Sequence, residues 1–310
     1  MTKDKILARV TVTAPASTSN LGPGFDCLGL ALDLRNELTL ELHDGSGPPV
    51  VEIEGAGAEA LPRGEQNMLV HAARQALPPG LPGRLVFKAR NRVPLARGLG
   101  SSAAAIVSGL WAGAHLVGTL RRSEDELEQM AVALEGHPDN IAPCVHGGLT
   151  ASLAVDGRAR AQRLNIHSAL STIVCIPDFE LSTKKARSVL PETVFLADAV
   201  YNTSRALLLT RTLESGHVSR LSELMKDRLH QPYRAKLVPG LDDALAAAGE
   251  AGAAGAALSG SGPTVFAFVE GRTARNASVG EAMVKAFSKH GVTSRWLALA
   301  VDHQGVRVER

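Results

Sequence analysis

Cysteine is scarce: Cys27, Cys144 and Cys175 are the only three in 310 residues, widely spaced and without a CxxC pair. An odd, scattered set fits neither a disulfide framework nor a thiolate zinc site, and a reducing cytoplasm is its natural compartment. Aromatic residues make up 4% of the chain, too few for the stacking platforms that single-stranded nucleic acids need. Charge of one sign is missing as well, since Lys plus Arg number 33 against 31 for Asp plus Glu, spread along the chain. That balance gives no electrostatic reason to expect a nucleic-acid footprint or a polybasic membrane patch. The opening MTKDKILARVTV lacks the apolar core and small-residue cleavage site of a signal peptide. The longest low-charge stretch, 101–119, is interrupted by His115, three glycines and several serines. It only just reaches the roughly 18 apolar residues of a membrane span, so it reads as a buried helix.

What is present is a core-forming composition, 45% hydrophobic and 21% charged, in a chain long enough for about two domains. Period-2 apolar runs mark strands at 7–13 and 28–43, joined by an ordered loop, 15–25, rich in Gly, Pro, Ser and Asn. Further strands are expected at 50–54, 84–88, 147–155, 171–176, 265–269 and 296–301. Helices are expected at 66–75, from Ser101 through an Ala-rich run, after a Ser123/Glu126 capping box, and at 192–215, 218–226 and 279–289. A Gly/Ala-rich stretch occupies 244–258. Strands and helices mix without regular βα alternation, which predicts an α+β fold. A strand-rich half gives way to a helix-rich half near residue 165, dividing the chain into 1–165 and 166–310.

Four segments could carry chemistry. The first, Pro94-Leu-Ala-Arg97-Gly98-Leu99-Gly100-Ser101-Ser102-Ala103-Ala104, runs a glycine-rich loop into a helix start. Close-approaching amides and the positive end of a helix suit a phosphate there, and the hydroxyls suit a phosphate or a magnesium ion. No Lys follows the last glycine, so it is not a Walker A loop, and taken alone GLGSS reads equally well as a glycine turn with a serine cap. A second loop, Leu258 to Thr264 (LSGSGPT), could wall a phosphate pocket, although alone it is an ordinary tight turn. The third, PASTSNLGPGFD, holds Asn20 and Asp26 in a rigid setting where such residues often serve only the turn. The fourth gathers Glu135, His137, Asp139 and Asn140 within six residues. As a unit beside a phosphate loop, that cluster points to function.

These four motifs, in this order and spacing, resemble those of the GHMP kinases. The PASTSNLGPGFDCLG opening and HQPYR…LVPG (His230–Arg234, Leu237–Gly240) are similar to the branch that phosphorylates homoserine. The resemblance runs from about Val10 to Thr264. It implies an N-terminal domain like ribosomal protein S5 domain 2 and a ferredoxin-like C-terminal domain. It further implies that 94–104 wraps the phosphates of ATP, that Ser102, or else Ser101, and Glu135 hold Mg²⁺, and that Asn67 lies near the nucleoside. Gly260, Ser261 and Gly262 would buttress the phosphate loop. Asn20, Asp26, His137, Thr183, Arg187 and Arg234 fall on homoserine-binding positions. A zwitterion needs a carboxylate such as Asp26 for its ammonium and a guanidinium fork for its own carboxylate. Without the family, either arginine reads as a solvated surface charge.

The implied reaction is ATP plus L-homoserine to ADP plus O-phospho-L-homoserine, a step toward threonine. Phosphoryl transfer asks chiefly for positioning and charge neutralisation, to which Lys184 or Lys185 could add. His137, Asp139 and Asn140 are the candidate catalytic residues. Asp139-Asn140 stands where the mevalonate branch has an Asp that can take the hydroxyl proton, and our reading favours positioning over a strong base. The rivals are another GHMP small-molecule kinase, a silent GHMP-fold metabolite sensor, and a structural or interaction protein. The intact GLGSS loop and Glu135 argue against the sensor. The resemblance also admits a homodimer, of which the sequence gives no direct sign.

Overall fold

Alternating apolar residues place Val10, Val12 and Ala14 on one face of a long first strand and Leu38, Leu40 and Leu42 on the same face of the second. The structure, a computed structural model, describes residues 5–118, 122–155, 158–271 and 274–309. The first four residues of the opening segment and Thr119, which ends the low-charge stretch, lie outside them. The first half runs β1 (Ile6–Asn20), β2 (Gly24–His43), β3 (Val50–Gly55), α1 (Met68–Ala76), β4 (Arg84–Asn91), α2 (Ser101–His115), α3 (Glu124–Glu135), α4 (Ile141–His146), β5 (Leu149–Val155) and β6 (Arg158–Leu164). The second half continues with β7 (Leu170–Pro177), α5 (Thr183–Arg187), α6 (Leu196–Ser215), α7 (Leu221–Leu224), α8 (Gln231–Arg234), α9 (Leu241–Glu250), β8 (Gly255–Leu258), β9 (Val265–Glu270), α10 (Ala274–Lys289), β10 (Ser294–Leu299) and β11 (Arg307–Glu309).

Two sheets result. In the first, β11, β1, β2, β4 and β3 lie side by side, and β5 joins β2 and carries β6. Its buried face packs on α1, α2 and α3 through Phe87, Leu69, Ile106, Leu110 and Leu127. Each such side chain contributes about 1.5–3 kcal/mol by leaving water. Helices α1 and α2 come unusually close because Gly109 and Gly113 stand one turn apart: a Cβ on Gly113 would lie 2.4 Å from the Ala73 carbonyl oxygen. The second sheet, ordered β10, β7, β9, β8, is antiparallel throughout. Alternation splits its strands: Ile173, Cys175, Val265 and Ala267 face α9 and α10, while Val174, Phe266 and Phe268 meet Leu30, Leu32 and Leu99 of the first half. The fold is α+β, as expected. The chain changes sheet between Leu164 and Leu170 and crosses back with β11. Among the described residues no helix is long and apolar enough to cross a membrane.

Several expectations are corrected. The stretch 15–25 is not mainly a loop, because β1 continues to Asn20 and only Leu21–Pro23 turns. Pro15 is tolerated there at a register shift between Pro15 and Ala16, where a missing N–H breaks no ladder. Helix α6 begins at Leu196 rather than 192, since Phe195 keeps an extended backbone as its N-cap. The segment 218–226 is not one helix: a 3₁₀ turn, Val218–Arg220, precedes the short α7. Within 244–258 the Gly/Ala-rich stretch holds most of α9 and all of β8. Strands β6 (Arg158, Arg160, Arg163) and β11 (Arg307, Glu309) are rich in charge and hold no apolar run, so the sequence pattern does not mark them. The Ser123/Glu126 capping box forms as expected.

Candidate active site

The glycine-rich loop is built from backbone. Gly100, left-handed at φ 69°, is the N-cap of α2 and no side chain caps the helix, so the first-turn amides stay available to an anion. A Cβ on Gly100 would sit 2.1 Å from Ser17 Oγ, and one on Gly98 2.2 Å from the Ser259 carbonyl oxygen. Glycine is therefore required twice. The side chains of Leu99, Ala103 and Ala104 are buried in the core. The loop is tied to the second half of the chain at three points. Leu181 N donates to Ala96 O (3.0 Å), Ser259 Oγ to Gly98 O (2.6 Å), and Arg97 Nε to Pro177 O (2.9 Å). Asp178 and Glu180 flank the Arg97 guanidinium at 3.7 and 3.6 Å.

Two cavities meet at Arg97. The larger, about 650 Å³, lies among the turn after β3 (Gly55–Ala60), Pro94, Leu95, Pro177 and Thr293–Arg295. The smaller, about 220 Å³, is lined by Ser19, Asn20, Asp26, Ala96–Gly98, Gly100–Ser102, Glu135, His137, Asp139, Asn140, Leu181, Thr183, Arg187, Arg234, Gly260 and Ser261. All four motifs thus contribute residues to one polar pocket, together with Thr183, Arg187 and Arg234.

Its acidic wall follows α3. Ser102 Oγ, at the start of α2, donates to Glu135 Oε1 at 2.6 Å, which singles out Ser102 over Ser101 as the carboxylate's neighbour. Burial pushes the Glu135 carboxyl above its usual range despite the Ser102 bond and the nearby His137. His137 Nδ1 lies 2.5 Å from Asp139 Oδ1, and its Nε2 is 4.0 Å from Glu135 Oε1. Burial works against the charged imidazole, but the bond to Asp139 and the charges of Asp139 and Glu135 outweigh it, so its pKa is raised. Asn140 accepts from Ser17 Oγ (2.9 Å) and donates to Ser19 Oγ (3.0 Å). Both serines come from β1.

The opposite wall holds the arginines, and they differ. Arg187, half-exposed, makes a two-bond ion pair with Asp26 at 2.9 and 2.7 Å. Arg234 is 2% exposed and donates to Ala186 O (3.3 Å), Gly260 O (3.0 Å) and His230 Nδ1 (3.2 Å). Among the described residues no carboxylate lies within ion-pair distance of it. Burial, then repulsion from Arg187, lowers its pKa to about 10. The turn joining the two walls is strained, with Asn20 (φ 71°), Leu21 (φ 48°) and Asp26 (φ 56°) all left-handed. Each costs on the order of 1 kcal/mol. Asn20 bridges the strain by accepting from Asp26 N and donating to Gly260 O, both at 3.0 Å.

Family models agree with this arrangement: one for the GHMP kinases N terminal domain matches residues 67–148, and one for the GHMP kinases C terminal domain matches 209–291. A homoserine kinase of Moorella thermoacetica is 45% identical over 300 residues, covering 96% of this chain and 99% of its own. The chain belongs to the homoserine kinase family. A second relative, the homoserine kinase of Desulfitobacterium hafniense, is 40% identical over 96% of this chain and 99% of its own. The crystal structure of homoserine kinase from Cytophaga hutchinsonii superposes with a TM-score of 0.87 at 31% identity, over all of this chain and 98% of that one. Mevalonate kinase of L. major, at 17% identity and a TM-score of 0.68, shares the fold.

Within this homoserine kinase family member some expected residues stand apart. Asn67 lines neither cavity: it caps α1, accepting from Leu69 N (2.9 Å) and donating to Pro62 O (2.6 Å). Pro94 lines only the larger cavity, and Gly262 neither. Lys184 and Lys185 are exposed and outside both linings. Thr183 and Ser261 do line the smaller one. Ser17 and Ser19, which hold Asn140, escaped the sequence reading, although their spacing of two along a strand puts them on one face.

Proposed function

We propose that this chain transfers the γ-phosphoryl group of ATP to the side-chain hydroxyl of L-homoserine, giving ADP and O-phospho-L-homoserine for threonine synthesis. One observation carries the reading: Arg234, a buried guanidinium with no carboxylate partner among the described residues, walls the small pocket that the glycine-rich loop also lines. An uncompensated buried charge costs several kcal/mol, and a ligand carboxylate would offset it. Asp26 is the carboxylate for the ammonium, and Arg187 already pairs with both of its oxygens. A pocket of about 220 Å³ suits a small amino acid, being below the roughly 300–1,000 Å³ of larger ligands.

The larger cavity is our site for the nucleoside, with Arg97 at the junction. Ser102 Oγ and the Glu135 carboxylate, hydroxyl and acid in contact, fit Mg²⁺, which takes one or two protein oxygens and otherwise phosphates and water. Bound there, the ion would neutralise charge on the phosphates. Helix-start amides of α2 hold the transferred group in line with the acceptor. Asp139 is already engaged by His137, and Asn140 by two serines, so both orient the hydroxyl without a strong base. A reducing cytoplasm suits the reaction and is supported by three unpaired thiols.

The test is ADP release with ATP, Mg²⁺ and a panel of hydroxyl acceptors. L-Homoserine should be preferred, with L-threonine and L-serine much poorer. Equal turnover of mevalonate or galactose would contradict the reading.

A further inference from the structure

His230 is fully buried and has no part in the chemistry above, yet it is the only side chain among the described residues that hydrogen-bonds the Arg234 guanidinium. A guanidinium can only donate, so the His230 Nδ1 that receives Arg234 Nη1 at 3.2 Å must carry a lone pair. The proton then sits on Nε2, which donates to the Gly22 carbonyl at 2.9 Å. The ring is thereby fixed as one neutral tautomer. Burial agrees, holding the imidazole below its ordinary range against the nearby Asp227. The backbone under the ring is fixed too, because Asp227 accepts from the amides of Leu229, His230 and Gln231 at 3.0, 2.9 and 2.6 Å. Above the ring lies Phe25, stacked at 5.2 Å and 21°. The Arg234 guanidinium lies 5.3 Å, and that of Arg187 5.7 Å, from the centroid of the same ring.

We propose that His230 is a positioning residue for substrate carboxylate recognition: hung from Gly22 and stacked on Phe25, it aims the Arg234 fork and sets its distance from Asp26. Gly22, Phe25 and Asp26 belong to one hairpin. The hairpin that presents the carboxylate for the ammonium therefore also holds, through His230, the cation for the carboxylate. An α-amino acid of one size spans the two. This inference rests on the reading of Arg234 given under the proposed function.

The test compares two acceptors, L-homoserine and 3-aminopropan-1-ol, which is homoserine without its carboxylate, in wild type, His230→Phe and His230→Asn. Phenylalanine keeps a ring on Phe25 and loses the acceptor; asparagine Oδ1 stands close to where Nδ1 was. His230→Phe should raise KM for homoserine about tenfold or more, leave KM for ATP in place, and leave kcat/KM for 3-aminopropan-1-ol unchanged. His230→Asn should recover most of the loss. Equal losses on both acceptors, or none on either, would overturn the proposal. Wild type using both acceptors equally would instead refute the Arg234 reading and this inference with it. Should His230→Phe fail a thermal-melt check, Phe25→Leu must show the same acceptor-dependent split in smaller measure, and its absence there overturns the proposal.

Discussion

Asp139 and Asn140 stand side by side in the smaller cavity, but their partners differ. Asp139 answers to His137, and Asn140 to Ser17 and Ser19 of β1. Were Asp139 a base, Asp139→Asn should cost about 10²–10⁴-fold in kcat. We expect less, with Asn140→Ala costing about as much, in steady-state rates on variants that melt normally. A loss confined to Asp139→Asn, with the acidic limb of the pH–rate profile gone, would restore the base. Glu135→Gln removes the charged oxygen next to Ser102. Its half-maximal Mg²⁺ concentration should rise about tenfold, the loss of one charge-assisted contact, with the melt unchanged. An unaltered Mg²⁺ titration would make Glu135 a helix-end residue. The GLGSS and EGHPDN segments were legible as a set and not singly, because each is contiguous and gains its meaning beside the other. Arg234 was not legible by local pattern. Only the fold brings it to Asn20, Gly260 and Asp26, and only its burial distinguishes it from a surface charge.

At the scale of elements, β2 shows how a strand can carry a polar device on the face opposite the core. Glu41 is 1% exposed and receives Arg9 from β1, Lys88 from β4 at 2.9 Å and His43 two residues on at 2.9 Å. Burial pushes its carboxyl up, but the bonds to His43, Lys88 and Arg9 prevail and hold the pKa at about 2. A depressed carboxylate stabilises the fold above its unfolded pKa, about 4.3, and that contribution is lost as pH falls through the folded value. Wild type should lose stability between about pH 4.5 and 2 in urea melts, by about 2 kcal/mol after screening by the half-exposed Arg9 and Lys88. Glu41→Gln should flatten that segment, and an identical acid limb in both proteins would rule the device out. Strand and helix types were legible wherever period 2 or a cap governed the pattern, as in β1, β2 and α3. They were obscure where tertiary pairing overrode composition: the Pro- and Gly-rich end of β1, the charged β6, and β11, whose three residues exist as a strand only beside Thr11–Thr13.

At the scale of the whole molecule, two sheets each turn one face to helices and share Leu30, Leu99, Val174 and Phe266 at their junction. The glycine-rich loop runs over that junction and is tied by Leu181, Ser259 and Pro177 to the second half. Amides from one half and Arg187 and Arg234 from the other therefore face a common pocket. The reading of the acceptor site stands or falls on whether Arg234 receives the acceptor's carboxylate, and steady-state kinetics of Arg234→Lys test this most directly. A point-charge ammonium cannot reproduce a planar two-donor fork. KM for L-homoserine should rise about tenfold or more while KM for ATP barely moves. A fall in ATP affinity instead, or no change in either constant, would contradict the account.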